Sequence, residues 1–162
     1  MTQSDRPVGT RLHRIGWDTP EGLSEELIRA VVDEFYARAR RDDVVGPVFN
    51  SKIAADEWPH HLSKIADFWS SMLLGSGRYD GRPMPKHMGI PELSDAHFMR
   101  WLRLFRETVT ELCPPDIAAV FIERSERIGN SFRMNIFMRR GDDITRLAPL
   151  PREASPVWRP ED

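Results

Sequence analysis

The sequence predicts an all-α fold of about four principal helices, and three observations carry that prediction. Apolar residues recur at three- and four-residue spacing over four stretches separated by Gly and Pro. No two alternating stretches read as a strand pair. No internal repeat or linker divides the chain, and 162 residues suit one domain with a real core.

Residues 1–18 carry no strong period and read as an N-terminal extension, with the domain proper over 19–141. Thr19-Pro20-Glu21 suits a short turn, Thr19 as N-cap and Pro20 in the first helical position. The first helix is expected from Ser24-Glu25-Glu26, because acidic side chains favour a helix N-terminus. Leu27, Val31, Phe35 and Ala39 form its stripe, with Ile28, Val32 and Tyr36 one step round. Gly46-Pro47 breaks the pattern, and Val48 and Phe49 follow.

A second helix is expected over Asp56–Leu74. Pro59 falls in its first turn, where a missing N–H costs little. Its stripe is His61, Ile65, Phe68, Trp69 and Met72. Gly75–Pro91, GSGRYDGRPMPKHMGIP, is too rich in Gly and Pro to be helical and reads as a loop. Ser94-Asp95 caps a third helix with the face Phe98, Trp101, Leu102, Phe105, Val109 and Leu112. Pro114-Pro115 ends it and opens a fourth, with Ile117, Val120, Phe121, Ser125, Ile128 and Phe132 in register and Gly141 as its close. Residues 142–162, with Pro149, Pro151, Pro156 and Pro160, read as a mobile Pro-rich tail.

The formal net charge of −2 and the isoelectric point near 6.2 leave no basic excess for nucleic acid. One cysteine, Cys113, excludes an intramolecular disulfide and a Cys-only metal site, and reads as a small buried residue. The N-terminal MTQSDRPVGT has no secretory apolar region, and no apolar run is long enough to span a membrane. A cytoplasmic protein with no membrane partner is expected.

The candidate chemistry starts at His87, presented from the loop between Met84, Met88 and Ile90. An imidazole in apolar surroundings is what a haem iron takes as its fifth ligand. Taken singly, each candidate has a plainer reading. A loop histidine is more often a surface residue, His61 a satisfied core histidine, and Tyr36 and Trp101 packing residues. Together they say more. Tyr36, His61 and Trp101 lie on the inward stripes of three different helices, and each carries a polar tip that needs a partner when buried. Such donors converging on one point suit an acceptor with partial negative charge, as bound dioxygen has.

The run DEWPHHLSKIADFWSSMLLGSGRYDGRPMPKHMGIP, with VVDEFYARARRDDVVGPVF before it and WLRLFRETV after it, resembles group III truncated haemoglobins. The resemblance covers residues 20–135 and rests on ordered motifs. They are a Phe-Tyr pair, W-x-x-H-x-x-x-I, FW-x-x-M-L-L-G, Y-x-G-x-P-M-x-x-H and a tryptophan on the third long helix. It implies a two-on-two helical sandwich enclosing haem b. It also implies His87 as the proximal ligand to the iron, with Met88 beside it among the cofactor contacts. Tyr36 matches the distal tyrosine, His61 the distal histidine and Trp101 the distal tryptophan. Phe35, Phe49, Ile65, Phe68 and Trp69 match pocket-wall positions. Arg78, Tyr79, Arg82 and Lys86 lie where the haem propionates need polar partners. His60, one helical step from His61, is expected nearer solvent.

The implied function is binding of dioxygen, nitric oxide or other diatomic ligands. Nitric oxide dioxygenase or peroxidase-like chemistry is a further implication. Turnover would need a partner reductase, since no Gly-rich dinucleotide fingerprint is present. The alternative is a haem-free helical module that binds a ligand or partner as a sensor. A zinc hydrolase is disfavoured by the lack of H-E-x-x-H.

Overall fold

The computed structural model describes residues 20–79 and 93–155. Among them are five α-helices and no strand: α1 (Glu25–Arg41), α2 (Gly46–Lys52), α3 (Trp58–Leu74), α4 (Asp95–Leu112) and α5 (Pro115–Arg139). No helix among these residues is long and apolar enough to cross a membrane.

Pro20–Leu23 forms a turn rather than a helix start, with Gly22 at φ 95°. α1 begins where its cap says it should. Ser24 Oγ accepts from the Leu27 N–H at 3.1 Å, and Glu25 and Glu26 fill the first turn. Asp42 leaves the helix in extended backbone, and its Oδ2 accepts from the Val44 and Val45 N–H groups. Gly46-Pro47 then does more than break a pattern: it opens α2. Pro47 sits in the first turn, where proline is pre-organised for helix. A Cβ at Gly46 would come within 2.8 Å of the Arg40 carbonyl oxygen, so only glycine lets α2 fold back this tightly.

A 3-10 turn at Ala55–Glu57 leads into α3, which starts at Trp58, two residues after the expected Asp56. α3 ends at Gly75, whose φ of 67° is the left-handed cap that glycine adopts freely. At the start of α4 the Ser94 N–H donates to His97 Nδ1 at 3.1 Å, which gives His97 a capping part. α5 runs from Pro115, and Gly141 follows it with positive φ.

α1 packs on α2, α3 and α4, and α4 packs on α5. The result is a two-on-two sandwich, the α1–α3 pair against the α4–α5 pair. Its centre is aromatic. Trp69 of α3 stacks on Phe105 of α4 at 5.3 Å, and Phe121 of α5 meets both rings. Ile28, Val31, Leu73, Val109 and Ile117 close around them. Leu112, expected on the inward face of α4, is 39% exposed, so that face ends at Val109. Cys113, expected buried, is half-buried, and burial pushes its thiol up to about 11.

The tail read as mobile is laid along α4 and α5 over residues 148–155. Buried Arg133 binds Asp95 with two nitrogens and donates to the Ala148 carbonyl at 2.9 Å. Arg106, 1% exposed, donates to the Glu153 carbonyl. The Glu153 carboxylate accepts from Arg100 and Arg103 at 2.7 and 2.8 Å, and Arg152 binds Glu126. The physical reason is that buried guanidiniums need acceptors, and an extended segment supplies free carbonyls and carboxylates.

Phe121→Ala should lower unfolding stability by about 3–5 kcal/mol, since this fully buried ring touches two others. Leu112→Ala should cost under about 1 kcal/mol. Urea unfolding of the two variants checks the contrast.

Candidate ligand-binding site

The site begins with two adjacent residues of α1. Phe35, 1% exposed, sends its ring into the core and meets Trp101 and Phe105 edge-on at 6.0 and 5.2 Å. Tyr36 points about 100° away, as the next residue of a helix must. Its ring meets Phe49 at 5.6 Å, Trp58 at 5.9 Å and His61 at 6.2 Å. His61 in turn lies edge-on to Trp58 at 5.3 Å. Trp101 of α4 reaches the same point and hydrogen-bonds the Tyr36 side chain. The three side chains named from separate helices therefore converge. His60 is exposed, as its helical position predicts.

The direction of the Tyr36–Trp101 bond follows from chemistry. An indole N–H can only donate, so the Tyr36 oxygen accepts and keeps its own proton to give. Burial pushes the Tyr36 phenol well above its ordinary value, and the bond from Trp101 offsets only part of that. Tyr36 stays a neutral donor throughout the physiological range.

Ile65, Ala66, Phe68 and Met72 run along α3 beside this trio. They pack on the core yet are only partly buried. An apolar stripe left partly uncovered next to converging donors fits a flat, largely apolar cofactor with a polar centre. Phe68 and Phe49 belong to that wall. Phe35 and Trp69 stand behind it: Trp69, 5% exposed, is spent on the stack with Phe105. The Tyr79 ring lies edge-on to Phe68 at 5.6 Å, and its backbone N–H donates to Ser71 Oγ. Arg78 has an acid partner, with Nε 3.3 Å from Glu25, both groups being exposed. Arg82, Lys86, His87 and Met88 lie outside the described residues, and so does the expected iron ligand.

Trp58 escaped the list of candidates. The signal was the W-x-x-H spacing, which puts Trp58 and His61 on one face of a helix. Trp58 is 2% exposed, and its indole N–H is buried with no hydrogen-bond partner. The Arg40 guanidinium covers its ring at 4.5 Å from the centroid.

One ion pair holds the trio's frame. Arg100, the neighbour of Trp101, donates to Asp42 Oδ1 at 2.9 Å and so ties α4 to the α1–α2 corner. Burial raises the Asp42 carboxyl, but the Val45 and Val44 amides and Arg100 outweigh it and hold the group below its ordinary value.

A two-layer helical sandwich with an aromatic wall and a distal cluster of donors is the architecture of a truncated globin. Comparison with known proteins agrees. The model of the bacterial-like globin family matches residues 22–127. A group 3 truncated hemoglobin of Campylobacter jejuni is 34% identical over 119 residues, which span 72% of this chain and 94% of that protein. The crystal structure of a group III truncated hemoglobin from Campylobacter jejuni superposes with a TM-score of 0.69 at 32% identity. It covers 75% of this chain and 98% of the other. The chain belongs to the bacterial-like globins, among the group III truncated haemoglobins, a family of haem proteins.

A depressed Asp42 carboxyl adds stability above the unfolded value near ~3.9, and that stability is lost as pH falls through the folded value. Asp42→Asn should therefore lower stability by about 1–3 kcal/mol at neutral pH and flatten the acid limb of unfolding. Thermal unfolding between pH 2 and 7 checks both.

Proposed function

We propose that this globin binds haem b, holds dioxygen and other diatomic ligands, and retains them for chemistry more than for delivery. The Trp101–Tyr36 hydrogen bond carries the reading. By accepting from Trp101, the Tyr36 oxygen is pinned and its O–H is left to donate to the polar end of a ligand. His61, edge-on to both Trp58 and Tyr36, would give a second donor or gate entry.

Phe49, Ile65, Phe68 and Met72 would hold the macrocycle, with Tyr79 beside Phe68 at its edge. Arg78, Arg82 and Lys86 would meet the propionates, and for Arg78 that means releasing Glu25. Met88 would pack near His87, the proximal ligand on the strength of the family resemblance. When bound, haem supplies the iron at which a diatomic ligand attaches and exchanges electrons. The chain supplies the donors, the dry wall and the exclusion of bulk water.

A hydrogen bond to a partly charged ligand is worth roughly 1.5–3 kcal/mol. Several donors around one ligand slow its escape, which favours conversion of nitric oxide to nitrate or peroxidase-like turnover over release. Either reaction needs electrons from a reductase partner, in keeping with a cytoplasmic site of action.

Tyr36→Phe should speed dioxygen dissociation by about 10- to 100-fold, measured by stopped-flow mixing. An unchanged rate would move the retaining role to His61 or Trp101. His87→Ala should lose the proximal-histidine absorption signature of the ferrous protein; if that signature persists, His87 is not the ligand. Purified protein that is colourless and refuses added haem would favour the sensor-like binding module instead.

A further inference from the structure

We propose a second site on this protein: a groove at the corner of α1, α2 and α3 that binds a small organic anion, a phosphate or carboxylate head on a short apolar body. The groove has a volume of about 520 Å³ and is lined by Arg40, Arg41 and Asn50 together with Ala37, Ile53, Ala55 and Trp58. Its size lies in the range of small-molecule sites. It is not the distal site, since Tyr36 and His61 are not among its lining residues.

Charge sets the class of ligand. Arg40 and Arg41 come from the last turn of α1 and have no carboxylate partner among the described residues. Most other arginines among the described residues do hold a carboxylate. Arg38, in the same turn, holds Glu34 and Glu111 at 2.7 and 2.6 Å. Arg100 holds Asp42 and Glu153. Two guanidiniums without a carboxylate among the described residues, one of them stacked on Trp58, match the geometry of a carboxylate or phosphate. Apart from Asn50, whose amide nitrogen donates to the Arg40 carbonyl, the remaining lining of Ala37, Ile53, Ala55 and the indole is apolar and has nothing to offer a bare inorganic ion. It suits the ligand's body.

The groove also touches the distal cluster through one ring. Arg40 covers Trp58 from the groove side at 4.5 Å. Trp58 meets His61 and Tyr36 at 5.3 and 5.9 Å. Its buried N–H has no hydrogen-bond partner, so stacking alone sets the ring's orientation. An anion that draws Arg40 off the indole changes what Trp58 presses against His61.

The test titrates the purified protein with phenyl phosphate, inorganic phosphate and phenol. Calorimetry gives affinity, and NMR follows the Trp58 indole N–H (assigned through Trp58→Phe) and the His61 ring protons. Phenyl phosphate should bind saturably, about tenfold tighter than either fragment, and shift both sets of resonances. Arg41→Gln, at an exposed position that leaves the fold intact, should weaken it about tenfold. Arg40→Gln should weaken it further. Equal binding of inorganic phosphate or phenol would overturn the organic-anion class. Undiminished binding by Arg41→Gln, or an unmoved Trp58 signal, would overturn the site. Binding that leaves His61 unmoved would overturn the link to the distal cluster. None of these readings uses a haem signal, so their failure leaves the proposed function standing.

Discussion

The fold and the site both depend on the angle between two consecutive helical residues. Side chains at neighbouring positions of a helix diverge by about 100°. In α1 that angle sends Phe35 into the aromatic core and Tyr36 toward the space beside α3. Phe35 touches Tyr36, Trp101 and Phe105, so the packed core grips the residues that present the donors. Close-packed interiors resist small displacements, which makes the Trp69–Phe105–Phe121 stack a rigid back wall for the distal cluster. The cluster can carry exposed-leaning apolar residues on α3 because its stability comes from the other face of the same helices.

A second constraint is the treatment of buried arginine. Arg106 and Arg133 lie inside the sandwich, where an uncompensated charge is costly. The chain meets them with Asp95 and with carbonyls of residues 148 and 153. Glu153 also joins Arg100, whose other nitrogen holds Asp42 at the α1–α2 corner. The C-terminal segment, the α4 backbone around Trp101 and the end of α1 are thus linked through shared ions. The donor carried on α4 is positioned from outside the pocket as well as from within.

Much of this was legible in the chain. Ser24, Ser94, Pro115 and Gly75 mark helix ends by side-chain or backbone chemistry that acts locally, and the long helices start or stop there. α2 was not legible. Seven residues give too little length for a period to appear, and Gly46-Pro47 is as good a break as a start. Phe68 and Trp69 show the limit for site residues. Both are large and aromatic, and they differ by one step. Only the position of Phe105 and Phe121 decides that Trp69 stacks in the core while Phe68 stays at the wall. Trp58 was hidden for a related reason: its part comes from Arg40, His61 and Tyr36, which meet it only after folding.

The sequence by itself determined the helical class, the long helices, their inward stripes and the family, because periodicity, caps and ordered motifs are properties of neighbouring residues. It also put Tyr36, His61 and Trp101 on inward faces. The tertiary structure alone decided that these three meet, that the phenol oxygen accepts from the indole, and that residues 148–155 of the Pro-rich segment lie on α4 and α5. It alone also opened a cationic groove beside Trp58. Those outcomes depend on how one helix is rotated and set against another. That is fixed by side-chain volumes and buried charges summed over residues far apart in the chain.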